Sequence, residues 1–195
     1  NGNYYCDQLS VNFNEQNFFV NEDVLVSGSI KKSKSGGGVL TSYSSVITGS
    51  GVSETFTGSS GSDGRLNINF GRRSVGTYDI AISLPSYEKI VHIIVKVTGN
   101  YKVDLMGNQI VVMVPGQKQL LTVQALDVNG NPPDDVILSS IQNNVSINVK
   151  KKSVAGQWDL EVNGSSGIYE VGLKAVKNSI TLDEQKVSFE LKKPS

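Results

Sequence analysis

At 195 residues, with 38% hydrophobic and 18% charged positions, the chain has the make-up of ordinary globular domains rather than of a disordered segment. Eighteen basic residues balance eighteen acidic ones, which removes the electrostatic footprint of a nucleic-acid binder. No run approaches the ~20 apolar residues of a membrane helix, so no membrane insertion of this segment is expected.

The chain opens on Asn1-Gly2-Asn3-Tyr4-Tyr5, with neither a starting Met nor an apolar signal core, and reads as an excised or processed piece of a longer protein. Its one cysteine, Cys6, excludes an internal disulfide. Two uses are open to it: a small, partly buried apolar residue near the start of the first strand, or an intermolecular disulfide.

Period-two alternation dominates, and no window of about 12 residues keeps a helical period, so the class is all-β. The first half predicts seven strands: Leu9 to Asn14, Asp23 to Lys32, Val39 to Ile47, Ser53 to Thr57, Gly64 to Phe70, Gly76 to Leu84 and Lys89 to Val97. Leu66, Ile68 and Phe70 share one face against Asn67 and Asn69, the pattern of a strand with one buried and one wet side. The second half predicts Tyr101 to Met106 running on through Ile110 to Val114, then Gln119 to Leu126, Val136 to Ile141, Asn144 to Lys152, Gly156 to Val162, Ile168 to Val176 and Lys186 to Leu191.

The halves repeat one another. Gly76-Thr77-Tyr78-Asp79-Ile80 recurs 91 residues later as Gly167-Ile168-Tyr169-Glu170-Val171. Gly64-Arg65-Leu66-Asn67-Ile68 recurs 92 residues later as Gly156-Gln157-Trp158-Asp159-Leu160. Two motifs in the same order, at nearly one offset and with the same facing, indicate two copies of one domain, spanning 1–98 and 99–195. Val97-Thr98-Gly99-Asn100-Tyr101 is the short joint between them. A Tyr entering a strand just after a Gly turn occupies the place of the tyrosine corner of immunoglobulin-like sandwiches. Tyr78 and Tyr169 are therefore expected to be structural.

Chemistry is scarce in this sequence. The only histidine, His92, falls in a strand on the face opposite Val91, Ile93 and Val95, and one His with one Cys makes no zinc site. Adjacent carboxylates at Glu22-Asp23, Asp134-Asp135 and Asp183-Glu184 point to opposite faces or cap turns, so no acid/base pair is expected. Asp127, Asn129, Asn131 and Asp134 alternate around a Gly, which makes calcium the one metal to consider, although no bidentate Glu follows; plain turn bonding is the competing account. Asn144 and Asn163 each begin an Asn-x-Ser triplet and are candidate glycosylation acceptors. The Gly- and Ser-rich stretch from Ser27 to Gly64 is either a set of mobile hairpin loops or a binding or glycosylated rim. The runs Lys31-Lys32-Ser33-Lys34 and Lys150-Lys151-Lys152 read as solvated strand ends that discourage edge pairing.

Leu126-Asp127-Val128-Asn129-Gly130-Asn131-Pro132-Pro133-Asp134-Asp135-Val136-Ile137 closely resembles the Asp-x-x-Gly-Asn-Pro-Val turn of bacterial Ig-like repeats in invasin- and intimin-type surface proteins. The Ser74 to Tyr78 phrase and its partner, Ser165 to Tyr169, also look like the Asp-x-Gly-x-Tyr-x-Cys phrase of immunoglobulin domains. Serines stand in place of the Asp, and Ile80 and Val171 in place of the Cys. The resemblance implies two tandem Ig-like sandwiches of about seven strands each, in an extracellular stalk or adhesive array. It brings no binding residue with it.

The reading is a non-enzymatic structural or adhesive fragment of a cell-surface or filamentous protein. Its expected partners are other protein modules, a cell-surface ligand or copies of itself; calcium aside, no cofactor is expected. Two alternatives are a carbohydrate-binding accessory module using Tyr43, Tyr87, Phe18 and Phe19 as stacking platforms, and a subunit polymerising by strand addition through its N-terminal segment. Of the adjacent Phe18 and Phe19, one is expected to enter the core.

Overall fold

The computed structural model describes residues 9–13, 16–32, 36–133, 135–141 and 145–195. It divides into two compact units, Asn1–Thr98 and Gly99–Ser195.

The first unit holds eight strands among its described residues: β1 (Leu9–Phe13), β2 (Asn17–Phe19), β3 (Asp23–Lys32), β4 (Ser42–Gly49), β5 (Val52–Ser59), β6 (Arg65–Arg72), β7 (Gly76–Leu84) and β8 (Lys89–Thr98). They form two sheets, ordered β1-β3-β6 and β2-β8-β7-β4-β5. Pairing is antiparallel except at β2, which runs parallel to β8 with Phe18 opposite Val97. Alternation decides the core. Val24, Val26 and Ile30 of β3 and Leu66, Ile68 and Phe70 of β6 are buried from one sheet, against Ile47, Tyr78, Ile80, Ile82, Leu84, Val95 and Val97 from the other. Each such side chain stabilises the fold by roughly 1.5–3 kcal/mol relative to exposure, before conformational entropy is counted.

The second unit repeats the plan with β9 (Tyr101–Met106), β10 (Ile110–Val112), β11 (Gln119–Asp127), β12 (Ile137–Ile141), β13 (Ser146–Lys151), β14 (Gln157–Asn163), β15 (Gly167–Lys177) and β16 (Ile180–Lys192). Its sheets are ordered β9-β11-β14-β13 and β10-β16-β15-β12. Val123, Trp158, Leu160 and Val162 face Val171, Leu173, Phe189 and Leu191 across the core. Two facing sheets with a shared apolar interior make each unit an immunoglobulin-like β-sandwich.

In the first copy the predicted opening strand is β1, followed by a short strand, β2, that alternation did not predict; in the second, the predicted run from Tyr101 to Val114 is in fact two strands. The second unit shows how: Gly107, at φ +77°, ends β9, and β10 then crosses to the other sheet, parallel to β16. The split covers one edge of each sheet with one short segment.

The copies also differ in where the strand before the β6 and β14 positions goes. β5 pairs with β4, Gly49 opposite Val52, through a two-residue turn in which Ser50 (φ +47°) and Gly51 (φ +75°) both take positive φ. Positive φ at both turn residues is the requirement of a type I′ hairpin, and it commits β5 to the sheet of β4. In the second unit β13 pairs with β14 instead, Ser146 opposite Asn163.

Candidate functional site

The twin phrases place their tyrosines alike but not at equal depth. Tyr78 Oη donates to the Ser74 carbonyl oxygen at 2.6 Å, and Tyr169 Oη donates to that of Ser165 at 2.7 Å. Tyr78 is 1% exposed, whereas Tyr169 is half-buried, with its ring 5.8 Å from that of Phe189. Glycine makes room for the first ring: a Cβ on Gly49 would stand 2.7 Å from Tyr78 Cδ1.

In the turn after β11, Asp127 Oδ1 accepts from the amides of Asn129 and Asn131, both at 2.9 Å. The Asp127 amide in turn donates to the Asn131 carbonyl oxygen at 2.8 Å. That oxygen therefore holds the loop closed, as Asp does in tight turns. Asp134, Asn144 and Cys6 lie outside the described residues. Among the described residues no three His, Cys, Asp or Glu side chains gather where a metal could sit. Asn163 ends β14 and is exposed.

The four aromatics do not share a surface. Phe18 is 5% exposed and Phe19 53%, so the former enters the core. Phe19 lies opposite Thr98 at one end of β8, while Tyr87 lies in a 3-10 turn, Pro85–Tyr87, before the other end. A ten-residue strand, about 30 Å long, separates them. Tyr43 is half-buried over Gly58, and burial pushes its hydroxyl pKa up.

His92 is exposed on the outer face of β8, with Nδ1 3.2 Å from Asp79 Oδ2. Glu22 Oε1 accepts from the Phe19 amide at 2.8 Å, and Asp183 Oδ1 from the Glu184 amide at 2.9 Å. Burial raises the Asp183 pKa; hydrogen bonds from the Glu184 amide and the Gln185 side chain oppose that shift. The second basic run meets acids across strands: Lys150 pairs with Glu161, which holds that carboxyl below its usual range, and Lys152 Nζ lies 3.8 Å from Asp159.

The Gly- and Ser-rich stretch forms a bonded seam through its described part. Ser60, 4% exposed, donates from Oγ to the Val39 carbonyl oxygen at 2.7 Å and accepts from the Thr41 amide at 2.9 Å. Gly64, at φ +83°, lies so close to Ile30 that any Cβ would meet its carbonyl oxygen. Residues 39–41 are thereby a bonded crossing and not the start of a strand, as alternation had suggested.

Sequence reasoning overlooked Arg73. Its side chain is 10% exposed, pairs with Glu54 at 2.8 Å and lies 5.9 Å from the ring centre of Phe56. The signal was present in β5, where alternation puts Glu54 and Phe56 on one face.

In the second unit an open groove of about 810 Å³ runs over Gly172, between Ile141, Ile168 and the Glu170–Lys186 pair, which is 3.4 Å apart. No helix of the described residues is long and apolar enough to cross a membrane.

No family model and no curated protein matches the chain. Among solved structures it is similar to invasin, a bacterial integrin-binding protein, at 12% identity and a TM-score of 0.43, over 94% of this chain and 39% of that one. It is similar to domains 5-6 of the S-layer protein SbsC at 18% identity and a TM-score of 0.33, over 95% of this chain and 98% of that one. The Escherichia coli adhesin FdeC gives 16% identity and a TM-score of 0.33, over 94% of this chain and 63% of that one. The chain thus spans 39% of the invasin length, and likeness at this distance transfers neither a ligand nor a role.

Proposed function

We propose that the chain is a non-enzymatic structural or adhesive segment of a cell-surface or filamentous protein, made of tandem Ig-like modules at 1–98 and 99–195. The observation that carries this reading is where the polar side chains go. Asp127, Tyr78, Tyr169, Ser60 and Glu22 each bond the backbone of their own unit. A module whose polar residues fix turns and strand crossings contributes rigidity and spacing, and leaves recognition to its surfaces and edges. Its partners are other protein modules, a surface ligand or further copies of itself.

Antibodies raised against the folded fragment test the location. Labelling of intact, unpermeabilised source cells is expected. Labelling that appears only after permeabilisation would overturn the reading.

A further inference from the structure

A sheet edge is a row of unpaired backbone donors and acceptors, and folded proteins blunt such rows with short strands, charges, Pro or bulges. The described edges of this chain mostly obey. β2 and β10 have three residues each, and β1 and β12 five. β9 carries Lys102 and Asp104, β13 ends on Lys150 and Lys151, and β6 opens on Arg65 and closes on Arg72. β5 has one charge and otherwise none of these devices. It runs eight residues, Val-Ser-Glu-Thr-Phe-Thr-Gly-Ser, in unbroken register with β4. Its single charge, Glu54, is tied to Arg73.

The hairpin fixes which backbone groups face outward. Gly49 and Val52 close the two-residue turn as a hydrogen-bonded pair, so Val52, Glu54, Phe56 and Gly58 bond to β4. Ser45 Oγ, which donates to the Phe56 carbonyl oxygen at 3.1 Å, reports the same direction for that group. The amides and carbonyls of Ser53, Thr55 and Thr57 therefore point away from the sheet, and all three side chains are exposed.

We propose that β5 pairs antiparallel with β5 of a second copy of this chain, Thr55 opposite Thr55, joining two five-stranded sheets edge to edge. The strand is complementary to itself in this register. Ser53 faces Thr57 and Thr55 faces its twin, which are favourable cross-strand pairs, and Glu54 faces Phe56 rather than another Glu54. Three hydrogen-bonded pairs supply about six main-chain bonds. The contact is isologous, so it closes on a two-fold axis. It rests on the first unit alone and stands apart from the cellular location proposed above.

The test is carried out on the 195-residue chain. In a Cys6→Ser background, Thr55→Cys should form a covalent dimer on mild oxidation, because a hydrogen-bonded pair sets its Cα atoms about 5.5 Å apart, within disulfide range. Thr48→Cys, exposed on the same sheet face but one strand inward, should not. Amide exchange at Ser53, Thr55 and Thr57 should slow as protein concentration rises, and Thr55→Lys, which sets two like charges opposite, should weaken the association several-fold in sedimentation. The proposal is overturned if Thr48→Cys cross-links as readily as Thr55→Cys. Concentration-independent exchange at the three amides overturns it too. So does association that survives Thr55→Lys but disappears when residues 1–16 are removed, which would assign the contact to the N-terminal segment.

Discussion

Arg73 Nη2 donates to Glu54 Oε2 at 2.8 Å, and the same guanidinium donates through Nε to the Phe70 carbonyl oxygen at 2.8 Å. One side chain thereby ties β5, in one sheet, to β6, in the other, over the edge-to-face pair of Phe56 and Phe70, whose ring centres are 5.1 Å apart.

Arg73→Ala should destabilise the first unit by roughly 2 kcal/mol, through lost packing of the buried stem and lost charge-assisted bonds. Glu54→Gln should cost less, since Glu54 is half exposed and water can replace it. The chain offers a convenient readout because its one Trp, Trp158, belongs to the second unit. In urea, Arg73→Ala should shift the circular-dichroism transition and leave the Trp158 fluorescence midpoint in place. Equal shifts in both signals would contradict the assignment.

Acid should act on the two units in opposite senses at two carboxyls. Glu54 is held below its ordinary pKa by its hydrogen bond to Arg73 and by that residue's charge. Its contribution is therefore present above the unfolded value, near 4.3, and is lost as pH falls through the lower folded one. Asp183 is raised by burial, so its contribution is full below the unfolded value, near 3.9, and is lost as pH rises through the folded one. The stability of Asp183→Asn relative to the parent chain, followed by Trp158 fluorescence in urea from about pH 3 to 7, should accordingly improve as pH rises. A difference that stays flat across the range would refute this.

The twin tyrosines should respond unequally. Tyr78→Ala removes a ring that is 1% exposed and should cost about 3–5 kcal/mol in the first unit, as buried aromatic truncations do. Tyr169→Ala, from a half-buried site, should cost less and should move only the second unit. Phe at either position deletes just the bond to Ser74 or Ser165, about 1 kcal/mol. Urea midpoints for the four variants decide it; equal losses for the two Ala variants would show that depth is not what matters.

Much of this was legible in the chain because β-strands write their facing at period two. The alternation of Leu66, Ile68 and Phe70 against Asn67 and Asn69, and the entry of one of Phe18 and Phe19 into the core, follow from local geometry alone. The depth of Tyr169 was not legible, because it depends on what covers the ring from β16 and not on its own strand.

The amino-acid sequence by itself determined the all-β class, the approximate place of most strands and the doubled Gly-x-Tyr phrase, since each is carried by neighbours within a few residues. Only the tertiary structure decided which sheet each strand joins. β5 and β13 hold equivalent places in the two copies yet pair with β4 and β14 respectively, and the two opening strands of each copy go to different sheets. Hydrogen-bond partners far apart in sequence settle such choices, and a strand's own residues specify its face but not its neighbour. For that reason the open edge of β5 came into view only once its partner was known.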